Sequence, residues 1–383
     1  MATYYRTSKD FELSEISAGE WEALKYVGYD AKNLEIPAEI DGKKITRIGA
    51  NFFKGNTNIK NIKIANGIKS IGSSAFESCK NLKSVILPES LESIEDSVFS
   101  GSGIKELHLP NSVKEIGDDL CMGCKELNKV VLSDSLTEIP GWAFSHCPRL
   151  KFVILPKKIK VIKSNAFTEC QMKYIDLPEG LEIIETDAFY QSSLRKIILP
   201  QSIKSIGTNS INGGSLRTVI ILPGCEAHLG EGIFGKDAYW YGDALTSVCI
   251  PASVTEIDNV FHGESSSGYT RTKRDEDGRI VRDAWGNEVT ERVDTTKGGV
   301  YVSEKLTVYC ESGSEIMSLA RSNNIKCSDY STYLSAHLDT VRIEIKIYVG
   351  IAIITDRAKK LINDLINSAP NTVKGFLNKL KNK

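Results

Sequence analysis

Apolar residues recur along this chain in blocks of 22 or 23 positions. Within a block they follow neither the 3.6-residue period of a long helix nor the sustained alternation of a long strand. The block at 81–103, NLKSVILPESLESIEDSVFSGSG, shows the pattern. Leu82, Val85 and Leu87 predict a short strand that runs into Pro88, which lacks an N–H and stops a ladder there. Leu91 and Ile94 predict a second short extended segment. Val98 and Phe99 then pack from the far side, in what the pattern predicts to be a short helical turn.

Two markers keep step along the chain. Phe53, Phe76, Phe99, Cys121, Phe144, Phe167, Phe189, Ile211 and Phe234 are spaced 23, 23, 22, 23, 23, 22, 22 and 23 residues apart, and Phe261 follows after 27. In phase with them, Leu-Pro occurs at 87–88, 109–110, 155–156, 177–178, 199–200 and 222–223, with Leu-Ser at 132–133 and Ile-Pro at 250–251. One such unit buries too few side chains to offset the entropy of ordering its backbone, so the units must stack on each other.

The pattern resembles the BspA-like leucine-rich repeats, whose units read roughly LxxIxLPxSLxxIGxxAFxxCxxL. The resemblance spans about residues 20–330. It implies a repeat solenoid, mainly β with short helical turns and with N- and C-terminal caps. The segment WEALKYVGYDAKNLEIPAEIDGKKITRIGANFF (21–53) is similar to that family's start, and LTVYCESGSEIMSLARSNNIKC (306–327) to its closing unit of strand, helix and strand. The expected organisation is a leader at 1–20, a cap and first repeat at 21–49, a solenoid at 50–261, an insertion at 262–300, a closing repeat at 301–330 and a tail at 331–383. The resemblance further implies a non-enzymatic binding or adhesion module, displayed on or secreted from bacterial cells. The opening stretch MATYYRTSKDFELSEIS carries no apolar run of a secretory signal, which argues instead for the cytoplasm.

If the first strand buries positions 1, 4 and 6 of each unit, then positions 2, 3 and 5 face outward. Position 2 reads Lys60, Lys83, Lys105, Asn128, Lys151, Lys173, Arg195, Arg217 and Thr246. Position 3 includes Phe152 and Tyr174 on adjacent rungs, and position 5 is largely apolar, with Ile86, Val131, Ile154, Ile198 and Ile220. A basic column thus runs beside an apolar one. One reading is a docking strip for an acidic protein segment, an anionic glycan or phosphate, with Lys83, Lys105, Lys151, Phe152, Lys173, Tyr174, Arg195 and Arg217 as its residues. The other is that lysine stems simply cover apolar neighbours and that apolar residues suit a sheet.

Nine cysteines invite a metal or redox reading, above all CMGC at 121–124. The register argues for architecture. The third residue after the Phe marker is Asn56, Cys79, Ser102, Cys124, Cys147, Cys170, Ser192 and Gly214, a column of small side chains. Cys121 occupies the Phe column itself, so the repeat supplies the CxxC spacing. No metal and no cofactor is expected, and no second CxxC pairs with the first.

Charge adds little. The formal net charge is −1, so no overall field drives the protein onto nucleic acid or membrane. No GxGxxG follows a strand, and GxxxxGK[ST], HExxH and GxSxG are missing. The five histidines are scattered, and His146 has no orienting partner evident in the sequence, so no catalytic residue is assigned. Two segments leave the repeat. The insertion at 262–300 reads as a β-hairpin around AWGN, carrying Trp285 as a binding candidate. The tail has a strand-like alternation at 340–349 and basic amphipathic pieces at 356–383, which either cap the last rung or meet a membrane surface or partner.

Overall fold

The computed structural model describes residues 8–28, 32–230, 232–233, 245, 247–251 and 253–254, together with the strands Tyr269–Thr272, Thr290–Val293, Thr307–Cys310 and Lys326–Asp329. The described repeats are a succession of short segments in which equivalent segments of successive repeats lie in register. Each rung has three sides: a first strand, a second strand of two residues, and a run of turns that carries the Phe marker.

The first strands form a parallel column. Asn33–Ile36 pairs with Asn61–Ile64 and that with Ser84–Ile86; Glu106–His108 pairs with Lys129–Val131 and that with Phe152–Ile154. Lys196–Leu199, Thr218–Ile221, Ser247–Ile250, Thr307–Cys310 and Lys326–Asp329 continue it in parallel. The closing repeat therefore joins the same column across the insertion. The ladder is interrupted twice, before Glu106–His108 and again after Phe152–Ile154.

The second strands form another parallel column, from Lys43–Ile48 through Ser70–Ile71, Ser93–Ile94 and Glu115–Ile116, and again from Glu138–Ile139 to His228–Leu229. Its single break falls where Pro140 stands. In neighbouring rungs that position donates to the Ile of the rung before, as Gly117 does to Ile94 at 2.8 Å and Lys163 to Ile139 at 3.0 Å. Proline has no N–H to give.

The third side corrects the expectation of short helical turns. From Gly72 to Cys79 the N–H groups alternate between two destinations. Ala75, Glu77 and Cys79 bond three residues back, to Gly72, Ser74 and Phe76, whereas Ser74, Phe76 and Ser78 bond across to Asp96, Val98 and Ser100 of the next rung. Residues two before and two after the Phe marker hold left-handed φ, as Ser74 (59°) and Ser78 (57°) do, which forbids a helix. Among the described residues the one helical element is the 3-10 turn Ser8–Asp10.

Ile, Leu, Val and Phe from all three sides fill one continuous core. Phe76 stacks on Phe99 at 5.6 Å, Phe144 on Phe167 at 5.5 Å and Phe167 on Phe189 at 5.3 Å, each pair nearly parallel. Cys121 divides this ladder into two stacks. At the N-terminal end, β1 (Phe11–Ser17) pairs antiparallel with β2 (Glu20–Tyr26), and β2 runs parallel to Lys43–Ile48. Residues 11–17, read from sequence as part of a leader, thus build the outer strand of a capping hairpin. Its buried Phe11 packs on Tyr26 and Phe52 and closes the core end.

Within the insertion, Tyr269–Thr272 pairs antiparallel with Thr290–Val293. Its first strand lies upstream of GRIVRD, the expected partner; that stretch and Trp285 lie outside the described residues, as do 330–383 and the tail's expected strand and helices. Among the described residues no helix is long and apolar enough to cross a membrane.

Candidate functional site

The first-strand side carries the basic column. Its backbone is a hydrogen-bonded rail in two stretches. Lys83 donates to the Lys60 carbonyl at 2.7 Å, Lys105 to Lys83 at 3.3 Å, Asn128 to Lys105 at 2.8 Å and Lys151 to Asn128 at 3.1 Å. Beyond the interruption, Arg195 donates to Lys173 at 2.9 Å and Arg217 to Arg195 at 2.8 Å. The rail stacks these side chains one rung apart, ~4.8 Å. Lys60, Lys83, Lys105, Lys151, Arg195 and Arg217 are exposed, and Lys173 is half-buried.

Charges on the second-strand side are arranged differently. Lys114 meets Glu92 at 3.1 Å, and Glu182 accepts from both Lys160 at 2.7 Å and Lys204 at 2.6 Å, so that side neutralises itself rung by rung. Glu182 is held down to about 2 chiefly by the hydrogen bond from Lys160 and then that from Lys204. Lys60, Lys83, Lys105, Lys151 and Arg195 form no ion pair among the described residues. Like charges held a rung apart sum to a positive strip that an opposite charge relieves.

The apolar partners of the strip divide in two. Ile86 is 59% exposed, the most open large apolar side chain among the described residues, and shares its rung with Lys83. Phe152 and Ile154 are half-buried on the Lys151 rung. Tyr174, expected beside Phe152 on the outer face, is instead 7% exposed. Its rung forms no strand there, and the alternation of inward and outward positions does not hold. The open strip also ends sooner than the repeat does. At Thr218–Ile221 and Ser247–Ile250 all four residues are buried, so Ile220 and Cys249 offer no surface.

The cysteine column is architectural. The Cys79 thiol donates to the Phe53 carbonyl at 3.0 Å, Cys124 to Phe99 at 2.9 Å, Cys147 to Cys121 at 3.2 Å and Cys170 to Phe144 at 3.0 Å. Burial pushes the Cys79 and Cys170 thiols up to about 12, which keeps them protonated donors at neutral pH. The described cysteines are free of disulfides, and among the described residues no group of three or more His, Cys, Asp or Glu side chains gathers as a metal site.

The turn side holds a feature that sequence reading missed. His146 has partners after all: Nδ1 lies 2.7 Å from the Ser145 hydroxyl and Nε2 lies 3.5 Å from Glu169. Ser145 is fully buried, so this is a held histidine and not an accessible nucleophile. The His146 ring lies parallel to that of Trp142, 8° apart in plane and 6.4 Å between centroids. The signal was available in the alignment of units, where Trp142 falls in a column of Ser, Asn and Asp.

The stacked rungs, the rail and the Phe ladder define the repeat geometry, and the profile of the BspA type leucine-rich repeat region matches this chain in six copies, over residues 46–173 and 143–267. Together these cover more than half of it. The chain belongs to the BspA type leucine-rich repeat family. Three solved structures are similar to this BspA type protein. A leucine-rich repeat protein of Bacteroides ovatus is 21% identical over 67% of this chain and 81% of its own, with a TM-score of 0.49. A leucine-rich cell surface protein of Faecalibacterium prausnitzii is 22% identical over 68% and 93%, with a TM-score of 0.41. The pneumococcal vaccine antigen PcpA is 17% identical over 86% and 97%, with a TM-score of 0.38. No curated protein sequence matches the chain. Membership of this repeat family suggests a protein-interaction module.

Proposed function

We propose that this BspA type solenoid is a non-enzymatic binding protein that takes up an acidic, extended segment of a partner protein along the strip from Lys60 to Arg195. The observation that carries this reading is the contrast between two sides of one rung. The second-strand side pairs its lysines with glutamates, while Lys60, Lys83, Lys105, Lys151 and Arg195 project without a described ionic partner. An acidic segment would supply the missing charges and gain on-rate from the summed field. Ile86, Phe152 and Ile154 beside the lysines supply apolar contact, which favours a peptide over inorganic phosphate. Half-buried Lys173 lies within the strip and Arg217 extends it, and Tyr174, being buried, acts only as support beneath it.

A fluorescein-labelled peptide alternating Glu with Val or Leu tests the reading. It is expected to bind the full chain and to weaken steeply as salt rises from 50 to 300 mM, because exposed charges are screened beyond about 8 Å at 0.15 M ionic strength. Binding that ignores salt, or an equal preference for the Gln counterpart, contradicts it.

A further inference from the structure

We propose that Trp142 and His146, with the carboxylates around them, form a second binding spot on the turn side, which receives an arginine side chain from a partner protein. The spot lies on a different side of the rung from the basic strip and has the opposite charge, so it stands or falls separately.

The backbone gives the first argument. The position two before the Phe marker is left-handed in every described repeat from Asn51 to Asn209. Its occupants are Asn51, Ser74, Ser97, Asp119, Trp142, Asn165, Asp187 and Asn209. Asn, Asp and Ser accept this conformation because a short polar side chain bonds locally. A tryptophan at φ 57° has no such help, and a bulky residue there is a true outlier. Trp142 adds nothing to the Phe stack that would offset the strain, for it is 38% exposed while Ala143 and Phe144 beside it are fully buried. Strain of this kind, held by a rigid frame, points to use of the side chain.

The second argument is preorganisation. His146, also left-handed at φ 55°, is tied by Ser145 and Glu169 and lies parallel to the indole. The two rings form a flat, fixed aromatic surface. A planar guanidinium stacks on such a surface and still directs its N–H groups sideways to carboxylates.

Charge supplies the third argument. The Asp118 carboxylate accepts the N–H of Gly141, next to Trp142, at 2.8 Å, and Asp96 accepts the N–H of Asp118 at 2.9 Å. Asp119 holds the same left-handed position one rung before Trp142, and its N–H donates to Gly141 at 3.0 Å. Burial first, and then the neighbouring Asp118 and Asp96, raise the proton affinity of Asp119. Of the cations nearby, Lys163 bonds to Glu138 at 2.7 Å and is only attracted to Asp118 from a distance, and Arg149 pairs with Glu126. An incoming arginine over Trp142 would meet Asp119 on one side and Glu169 on the other.

The test uses the full chain and a fluorescein-labelled peptide with arginine at alternate positions in a Gly/Ser background, beside its citrulline twin, which has the same shape without the charge. The arginine peptide is expected to bind about fivefold or more tightly than the citrulline peptide. Trp142→Asn is expected to lose that binding while the protein melts at an equal or higher temperature, since Asn suits the left-handed position. The double variant Asp119→Asn, Glu169→Gln is expected to lose it as well, and each variant keeps the binding of the acidic peptide to the strand strip. The proposal is overturned if Trp142→Asn binds the arginine peptide as the unaltered chain does. It is equally overturned if the citrulline peptide binds as well, or if a neutral oligosaccharide displaces the arginine peptide.

Discussion

The Cys170 thiol donates to the carbonyl oxygen of Phe144 across 3.0 Å, from one rung to the rung before. The same bond recurs from Cys79 to Phe53 and from Cys124 to Phe99. It joins the corner of each turn to the aromatic ladder beneath it. What looks like repeated thiol chemistry is therefore a repeated donor.

Cys147→Ser tests this. A hydroxyl still reaches toward the Cys121 carbonyl, which also accepts the Cys124 N–H at 3.1 Å and so is never orphaned. The substitution is expected to cost about 1 kcal/mol or less in urea denaturation. A chelator is expected to leave the transition unmoved. A loss of several kcal/mol would show that the thiol does something a donor does not.

Phe144→Ala is the contrasting case. Phe144 is fully buried and stacks on Phe167, in a rung whose earlier neighbour already has Cys121 in the Phe column. Emptying it leaves a cavity between rungs that the parallel ladders prevent from collapsing. The expected cost is about 3–5 kcal/mol. Hydrogen exchange should quicken first in the adjoining rungs, because a solenoid is held by neighbour-to-neighbour contacts.

Arg47 fastens the capping hairpin to the solenoid. Its guanidinium reaches Glu22 of β2 at 2.7 Å and Glu95, two rungs on, at 2.6 Å. Arg47→Met is expected to destabilise the hairpin end by about 1–2 kcal/mol, the solvent on its open side reducing the effect. Protease cleavage within 11–26 should rise before global unfolding. Equal cleavage in both proteins would show that the apolar cap around Phe11 suffices.

The paired lysines around Glu182 set a pH dependence. Because the folded carboxyl titrates near 2, below its unfolded value, its pairing stabilises the protein fully above pH ~4.3 and is lost as pH falls through about 2. Carbon-detected NMR titration should find this midpoint at about 2, below the unfolded value. Lys204→Met should raise it.

The register of the repeat was open to sequence reading because two markers, the Phe column and Leu-Pro, constrain the same spacing. Lys83, Lys105 and Lys151 could be aligned from it, and the rail of backbone bonds puts them in that line. The ion pairs of the second-strand side could not, since the meeting of Lys160 and Lys204 at Glu182 depends on rotamers across two rungs. Tyr174 was misassigned because position 3 was assumed to point outward on every rung. No strand forms on the Tyr174 rung, so the alternation seen at Phe152–Ile154 is not kept there. Trp142 was overlooked for a related reason: a left-handed position is recognised by its Asn, Asp and Ser occupants, and the one residue that breaks the rule passes as an ordinary surface aromatic.

The central claim is that the unpaired column, not net charge, captures an acidic partner. The most direct measurement compares two charge-matched variants of the full chain by their affinity for the acidic peptide. One carries Lys83→Glu, Lys105→Glu and Lys151→Glu on the strand strip; the other carries Lys114→Glu, Lys160→Glu and Lys204→Glu on the paired side. The account predicts that the first loses at least about a hundredfold in affinity, roughly 1 kcal/mol for each reversed contact, and that the second stays within about fivefold of the unaltered chain. Equal losses in both would show that overall charge is responsible, and retained binding in the first would contradict the strip as the site.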